Sequence, residues 1–156
     1  MRPLRAGDRP DADAIARIYD GVRDGTLPKA EWTHHAHLTF GARLIDEIGL
    51  AAAETSIRRL ISRYNEATGG VNDDHNGYHH TISIFFLRAI ASDPDWRGDA
   101  AGAARLLASP LAATDYPLRY YTRDHLFSVD ARRRWRRPDI ALPSFALPPE
   151  NDGAHD

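Results

Sequence analysis

The segment at residues 33–48 places the tightest limit on how this chain of 156 residues folds. Leu38, Phe40, Leu44, Ile45 and Ile48 leave it apolar around much of a helical circumference. Such a helix must be enclosed by neighbours, not laid on a surface. Thr33 is a good N-cap for it, and Gly49 a good stop. Helices able to enclose it are present on both sides. Residues 11–24 carry Ile15, Ile18, Tyr19 and Val22 at helical spacing between Pro10 and Gly25. Residues 51–67 place Ile57, Leu60, Ile61 and Tyr64 on one face, and Thr68-Gly69-Gly70 ends them. Residues 78–91 hold Ile82, Phe85, Phe86, Ala89 and Ile90, with Ile84 and Leu87 widening the face. A short alanine-rich helix follows at 98–109, capped by Asp99. A last one at 128–137 is stopped by Pro138.

No stretch alternates strongly enough to support a sheet, and no repeat is present. The pattern predicts an all-α fold, a compact bundle of four to five helices with an irregular C-terminal segment. Residues 1–147 form one domain, and the polar stretch 148–156 is expected to be a disordered tail. The charge balance of 20 basic and 22 acidic residues favours neither nucleic acid nor membrane as a partner. No apolar run approaches the length of a membrane span, and no apolar core follows Met1 to Arg5, so a cytoplasmic protein is expected. The chain has no cysteine. Any metal must therefore be held by nitrogen and oxygen.

Those ligands are abundant in two places. Trp32-Thr33-His34-His35-Ala36-His37-Leu38 opens one apolar helix, and Gly77-Tyr78-His79-His80-Thr81 opens another. Positions i and i+3 of a helix lie about sixty degrees apart around its axis, so His34 and His37 can aim at one point. His35, roughly a hundred degrees from His34, faces away. His79 or His80 can supply a third imidazole from the neighbouring helix. Three imidazoles with open positions suit one divalent transition metal: zinc, iron or copper. Glu31 is a further ligand, an acceptor for an imidazole N–H, or a general base. Without metal, the same histidines form a hydrogen-bonded network or an acid–base pair.

These residues also carry a resemblance. Glu31-Trp32-Thr33-His34-x-x-His37-Leu38, Tyr64-Asn65-x-Ala67-x-Gly69 and Gly77-Tyr78-His79-x-Thr81 resemble the motifs of a family of small bacterial proteins of unassigned function. Tyr116-Pro117-Leu118-x-Tyr120-Tyr121 and Trp135-x-x-Pro138-Asp139 are similar to that family's C-terminal half. The resemblance implies that His34, His37 and His79 are the histidines shared with that family and that His35 is incidental, so these three are the expected metal ligands. Relatives often carry glutamate where this chain has His80, so a catalytic role at position 80 would here fall to an imidazole.

Other features are weaker. Residues 72–76 resemble a calcium loop in composition but lack its spacing, so Asn76 is read instead as a contact to substrate or imidazole. Arginine and tyrosine alternate at 118–125, which makes Arg119, Tyr121 and Arg123 candidates for gripping an anionic substrate, with Tyr78 beside the second histidine cluster. The five arginines around Trp135 are read as an exposed helix face with the indole packed inward. The expected function is a mononuclear metalloenzyme acting on a small, chelating substrate, by metal-assisted lyase or hydrolase chemistry or with oxygen. Glu31 and His80 are its proton carriers. The rival is a non-catalytic accessory protein that binds metal or a small ligand.

Overall fold

Side-chain caps decide where the helices begin, because the first backbone N–H groups of a helix have no partner within it. In the computed structural model, which describes residues 2–150, Asp11 accepts from the Ala14 N–H and starts α1, Ala12–Asp24. Thr33 accepts from Ala36 and starts α2, His34–Ile48. The single residue Gly49, at φ +84°, then turns the chain into α3, Leu50–Ala67. That left-handed φ is one that side chains with a Cβ resist. His79 caps α4, His80–Ala91, and Asp99 caps α5, Ala100–Leu107. Thr122 and Ser128 cap two short helices, α6 at Arg123–Leu126 and α7 at Val129–Arg133. Three 3₁₀ turns, Lys29–Glu31, Pro110–Ala112 and Tyr116–Arg119, complete an all-helical fold. There is no strand among the described residues.

α2 is the hub. It packs on α1, α3, α4, α5 and the turn at Pro110–Ala112, as its apolar circumference requires. Ala36, Leu38, Phe40, Ala42 and Leu44 are all at most 2% exposed. Tyr64 of α3 is equally buried, and its hydroxyl donates to the Leu27 carbonyl at 2.7 Å. That bond ties the connector after α1 to the core.

Several helix boundaries differ from the sequence expectation: α5 spans 100–107 instead of 98–109, between its caps at Asp99 and Ala108, and two larger shifts have long-range causes. α4 starts at His80 instead of 78, because His79 is extended (φ −128°, ψ 111°) and turns its ring back to accept from Ile82 N–H. α7 ends at Arg133 instead of 137. Arg134 is extended, and the Thr81 hydroxyl donates to its carbonyl at 2.7 Å while accepting from Arg136 N–H at 3.0 Å. α4 thus pulls this stretch out of helical geometry.

The C-terminal segment is irregular but tied down. The buried Tyr121 donates to the Arg136 carbonyl, and Trp135, 8% exposed, donates its indole N–H to Pro148 O. Glu150 accepts from the Arg137 backbone N–H. Positions 148–150, expected to begin a disordered tail, therefore hold hydrogen bonds, and the rest of that expectation, 151–156, lies outside the described residues. The arginine run is occupied internally: Arg133 makes two bonds to Asp74, Arg132 donates to Gly77 O, and Arg134 and Arg136 pair with Asp130. No helix among the described residues is long and apolar enough to cross a membrane.

His79 joins these two halves. Its Nε2–H donates to Leu126 O at 2.7 Å while its Nδ1 caps α4, and the residue is 8% exposed. Burial pushes its pKa down to about 4, although the Leu126 carbonyl works the other way. The unfolded chain, with the ordinary value near 6.5, takes up this proton first as pH falls. The stabilisation is complete above about pH 6.5 and is lost towards pH 4, at about 1.4 kcal/mol per pH unit. His79→Asn keeps an acceptor for the Ile82 N–H, so urea unfolding of this variant at pH 7 and pH 5 should show a smaller loss than the parent. An equal loss in both would contradict the buried, neutral His79.

Candidate functional site

The first turn of α2 sets the geometry of the first histidine cluster. Thr33 fixes the helix start, so residues 34, 37, 38 and 41 fall at i, i+3, i+4 and i+7 on a single stripe. His34 donates from Nε2 to Leu111 O at 2.8 Å. His37 donates from Nδ1 to Thr33 O at 2.7 Å. A carbonyl oxygen only accepts, so both tautomers follow from these contacts. His34 keeps an unprotonated Nδ1 and His37 an unprotonated Nε2, neither with a protein partner among the described residues.

The two rings are held by packing as well. His37 stacks on Trp32 with centroids 3.6 Å apart, and Trp32 in turn meets Tyr64 and Phe40 edge-on at 5.2 and 5.9 Å. His34 meets Phe86 edge-on at 5.0 Å. Burial lowers the His34 pKa, and the Leu111 carbonyl opposes that shift. Desolvation also lowers His37, with Thr33 O opposing. One face of His37 remains open to solvent, which moderates the shift without reversing its sign. Both imidazoles are therefore neutral at pH 7.

The stripe faces a cavity of about 280 Å³. His34, His37, Leu38 and Gly41 form its α2 wall, Ile57 and Ile61 its α3 wall, and Ile82, Ser83, Phe86, Leu87 and Ile90 its α4 wall. No charged side chain among the described residues lines it. The Ser83 hydroxyl donates to His79 O at 2.8 Å, so its proton is already engaged. An apolar cavity lined by two imidazoles and little else that is polar is a usual form of small-molecule site.

The structure does not bring the other expected residues to this cavity. His79 does not line the cavity, and both its ring nitrogens are engaged, by Leu126 O and Ile82 N–H. His80 accepts at Nδ1 from the Tyr78 hydroxyl, or donates to it, at 2.7 Å, and faces a different hollow beside Glu54, Arg58 and Trp135. Glu31 is buried and held by Arg17 through two bonds of 2.8 and 2.7 Å, which keep its carboxyl below the ordinary range. It bonds no imidazole among the described residues. Asn76 binds Asp73 within the exposed loop, and Tyr121 is buried against Arg136 O. Arg119 lies over the Tyr116 ring at 5.1 Å, and Arg123 is exposed at the start of α6. Among the described residues no three His, Cys, Asp or Glu side chains are grouped to hold an ion.

Other contributors escaped sequence reasoning. Trp32 is the platform under His37, and the carbonyls of Thr33 and Leu111 orient the two rings. The stripe 34-37-38-41 was open to detection, because Gly41 interrupts an otherwise bulky helical face. The Leu111 carbonyl, 77 residues away, carries no side-chain signal at all.

Long-range proton–nitrogen NMR correlations at pH 7 should show His34 as the Nε2–H tautomer and His37 as the Nδ1–H tautomer. Imidazolium signals, or the opposite tautomers, would contradict the geometry. No family model, no curated protein and no solved structure matches this chain.

Proposed function

We propose that the chain is a small-molecule enzyme whose site is the His34/His37 cavity, with the two neutral imidazoles receiving a hydrogen bond or proton from the bound substrate. One observation carries this reading. Each imidazole commits one N–H to a backbone carbonyl and keeps its other nitrogen as an acceptor at a shared apolar cavity. That is what proton acceptance requires: a fixed ring, a known tautomer and a lone pair free at neutral pH. Glu31 takes no part in this, since Arg17 holds both of its oxygens.

A divalent ion bound through the same two nitrogens is the second reading, and the same carbonyl bonds favour it, because metal-bound histidines usually donate their other N–H in this way. The fit is partial. His34 and His37 would hold the ion, while catalytic zinc takes three protein ligands and His79 would have to abandon its cap to join them. Bound there, zinc, iron or copper would supply Lewis acidity or redox chemistry.

Elemental analysis and ligand-observed NMR on protein without a histidine tag separate these readings. The leading one predicts metal well below one equivalent, and fragment hits that weaken roughly tenfold in His34→Ala and His37→Ala. Hits that bind both variants as tightly as the parent would place the function elsewhere. One equivalent of metal, lost in both variants and kept in His79→Asn, would establish the two-histidine centre instead. Loss in a folded His79→Asn would restore His79 as a third ligand.

A further inference from the structure

We infer that the ligand of the His34/His37 cavity is a neutral molecule with a compact apolar body and a hydroxyl head, a phenol or an alcohol; the inference rests on reading this cavity as the small-molecule site. The charge of the ligand follows from the walls. No arginine, lysine, aspartate or glutamate among the described residues lines the chamber. The nearby arginines that might serve are committed elsewhere, Arg17 to Glu31 and Arg88 to Glu54. A carboxylate or ammonium drawn in among these apolar walls would shed its water without a counter-charge, which is costly.

The head group follows from the polarity of what remains. His34 offers Nδ1 and His37 offers Nε2, both lone pairs, and the Ser83 proton is spent on His79 O. Every polar group at the cavity is therefore an acceptor. A ketone, ether or nitrile would set lone pair against lone pair, whereas a hydroxyl supplies the missing donor. Sites built around such a bond reject analogues that lack it.

The size of the body follows from the volume and from Gly41. At the roughly 30 Å³ that one liquid water occupies, a chamber of about 280 Å³ holds about nine heavy atoms. Gly41 keeps the space open: a Cβ there would stand 3.4 Å from both Ile90 Cδ1 and Leu87 Cδ2, and anything longer would enter the chamber. Glycine inside a helix sacrifices stability relative to alanine, and here that sacrifice maintains a void.

Calorimetric titration of the full chain at pH 7 with five matched probes tests the inference. They are para-ethylphenol, its isomer para-methylanisole, benzoate, para-methylbenzylamine and ethylbenzene. The phenol should bind at least about tenfold more tightly than the anisole, an isomer of equal size that lacks the donor, and the two charged probes should bind more weakly still. Gly41→Leu should abolish phenol binding. Gly41→Ala should raise the Tm while weakening the phenol, an outcome that loss of folding cannot imitate. An anisole within about twofold of the phenol, or a benzoate that binds best, would overturn the hydroxyl class while leaving the cavity as a site. Failure of all five probes, ethylbenzene included, or binding unchanged in both Gly41 variants, would defeat the cavity reading itself.

Discussion

Histidine N–H groups bonded to backbone carbonyls hold the irregular C-terminal third of this protein against its helices. His34 donates to Leu111 O, His35 to Ala112 O and His79 to Leu126 O, and within the segment itself His125 donates to Arg137 O. Leu111, Ala112 and Leu126 lie in a turn or a very short helix, where few backbone partners exist. A buried carbonyl left without one costs about 1–3 kcal/mol. An imidazole is well suited to this work, since it reaches across a gap and packs against aromatic neighbours. The cluster that first suggested metal ligation is thus, in large part, a set of structural ties.

The same ties prepare the candidate site. When His34 gives its proton to Leu111 O, its Nδ1 becomes an acceptor, and Thr33 O does the same for Nε2 of His37. Stacking on Trp32 holds the second ring in place. Structure and chemistry are therefore not separable at these positions. Replacing His34 removes an acceptor from the cavity and also one of the two histidine ties to the turn at Pro110–Ala112. His79 shows the opposite outcome, because its second nitrogen is consumed by the α4 cap and nothing is left for a ligand.

Much of the fold was readable in the chain because its signals are local. Thr33, Gly49, Asp11 and Asp99 act within a few residues of the ends they mark, and the helices start and stop there. The all-round apolarity of α2 correctly identified the hub. Long-range partners were not readable. Thr81 shortens α7 from 53 residues away, and Leu126 turns His79 from 47 residues away. At the site, helical spacing alone paired His34 with His37. It did not show that Arg17 would occupy Glu31, that Tyr121 would be buried, or that Arg119 would lie on Tyr116. Nor does any local pattern mark a cavity whose walls come from three helices.

The location of ligand binding tests this account most directly, and isoleucine methyl groups report it. Ile57, Ile61, Ile82 and Ile90 line the cavity, while Ile84 belongs to the hollow beside His80 and Ile140 is exposed on the C-terminal segment. Methyl-selective NMR of isoleucine-labelled protein, titrated with a small phenol, should shift the first four signals and leave Ile84 and Ile140 unmoved. Shifts centred on Ile84 or Ile140, or no shift at any isoleucine, would contradict it.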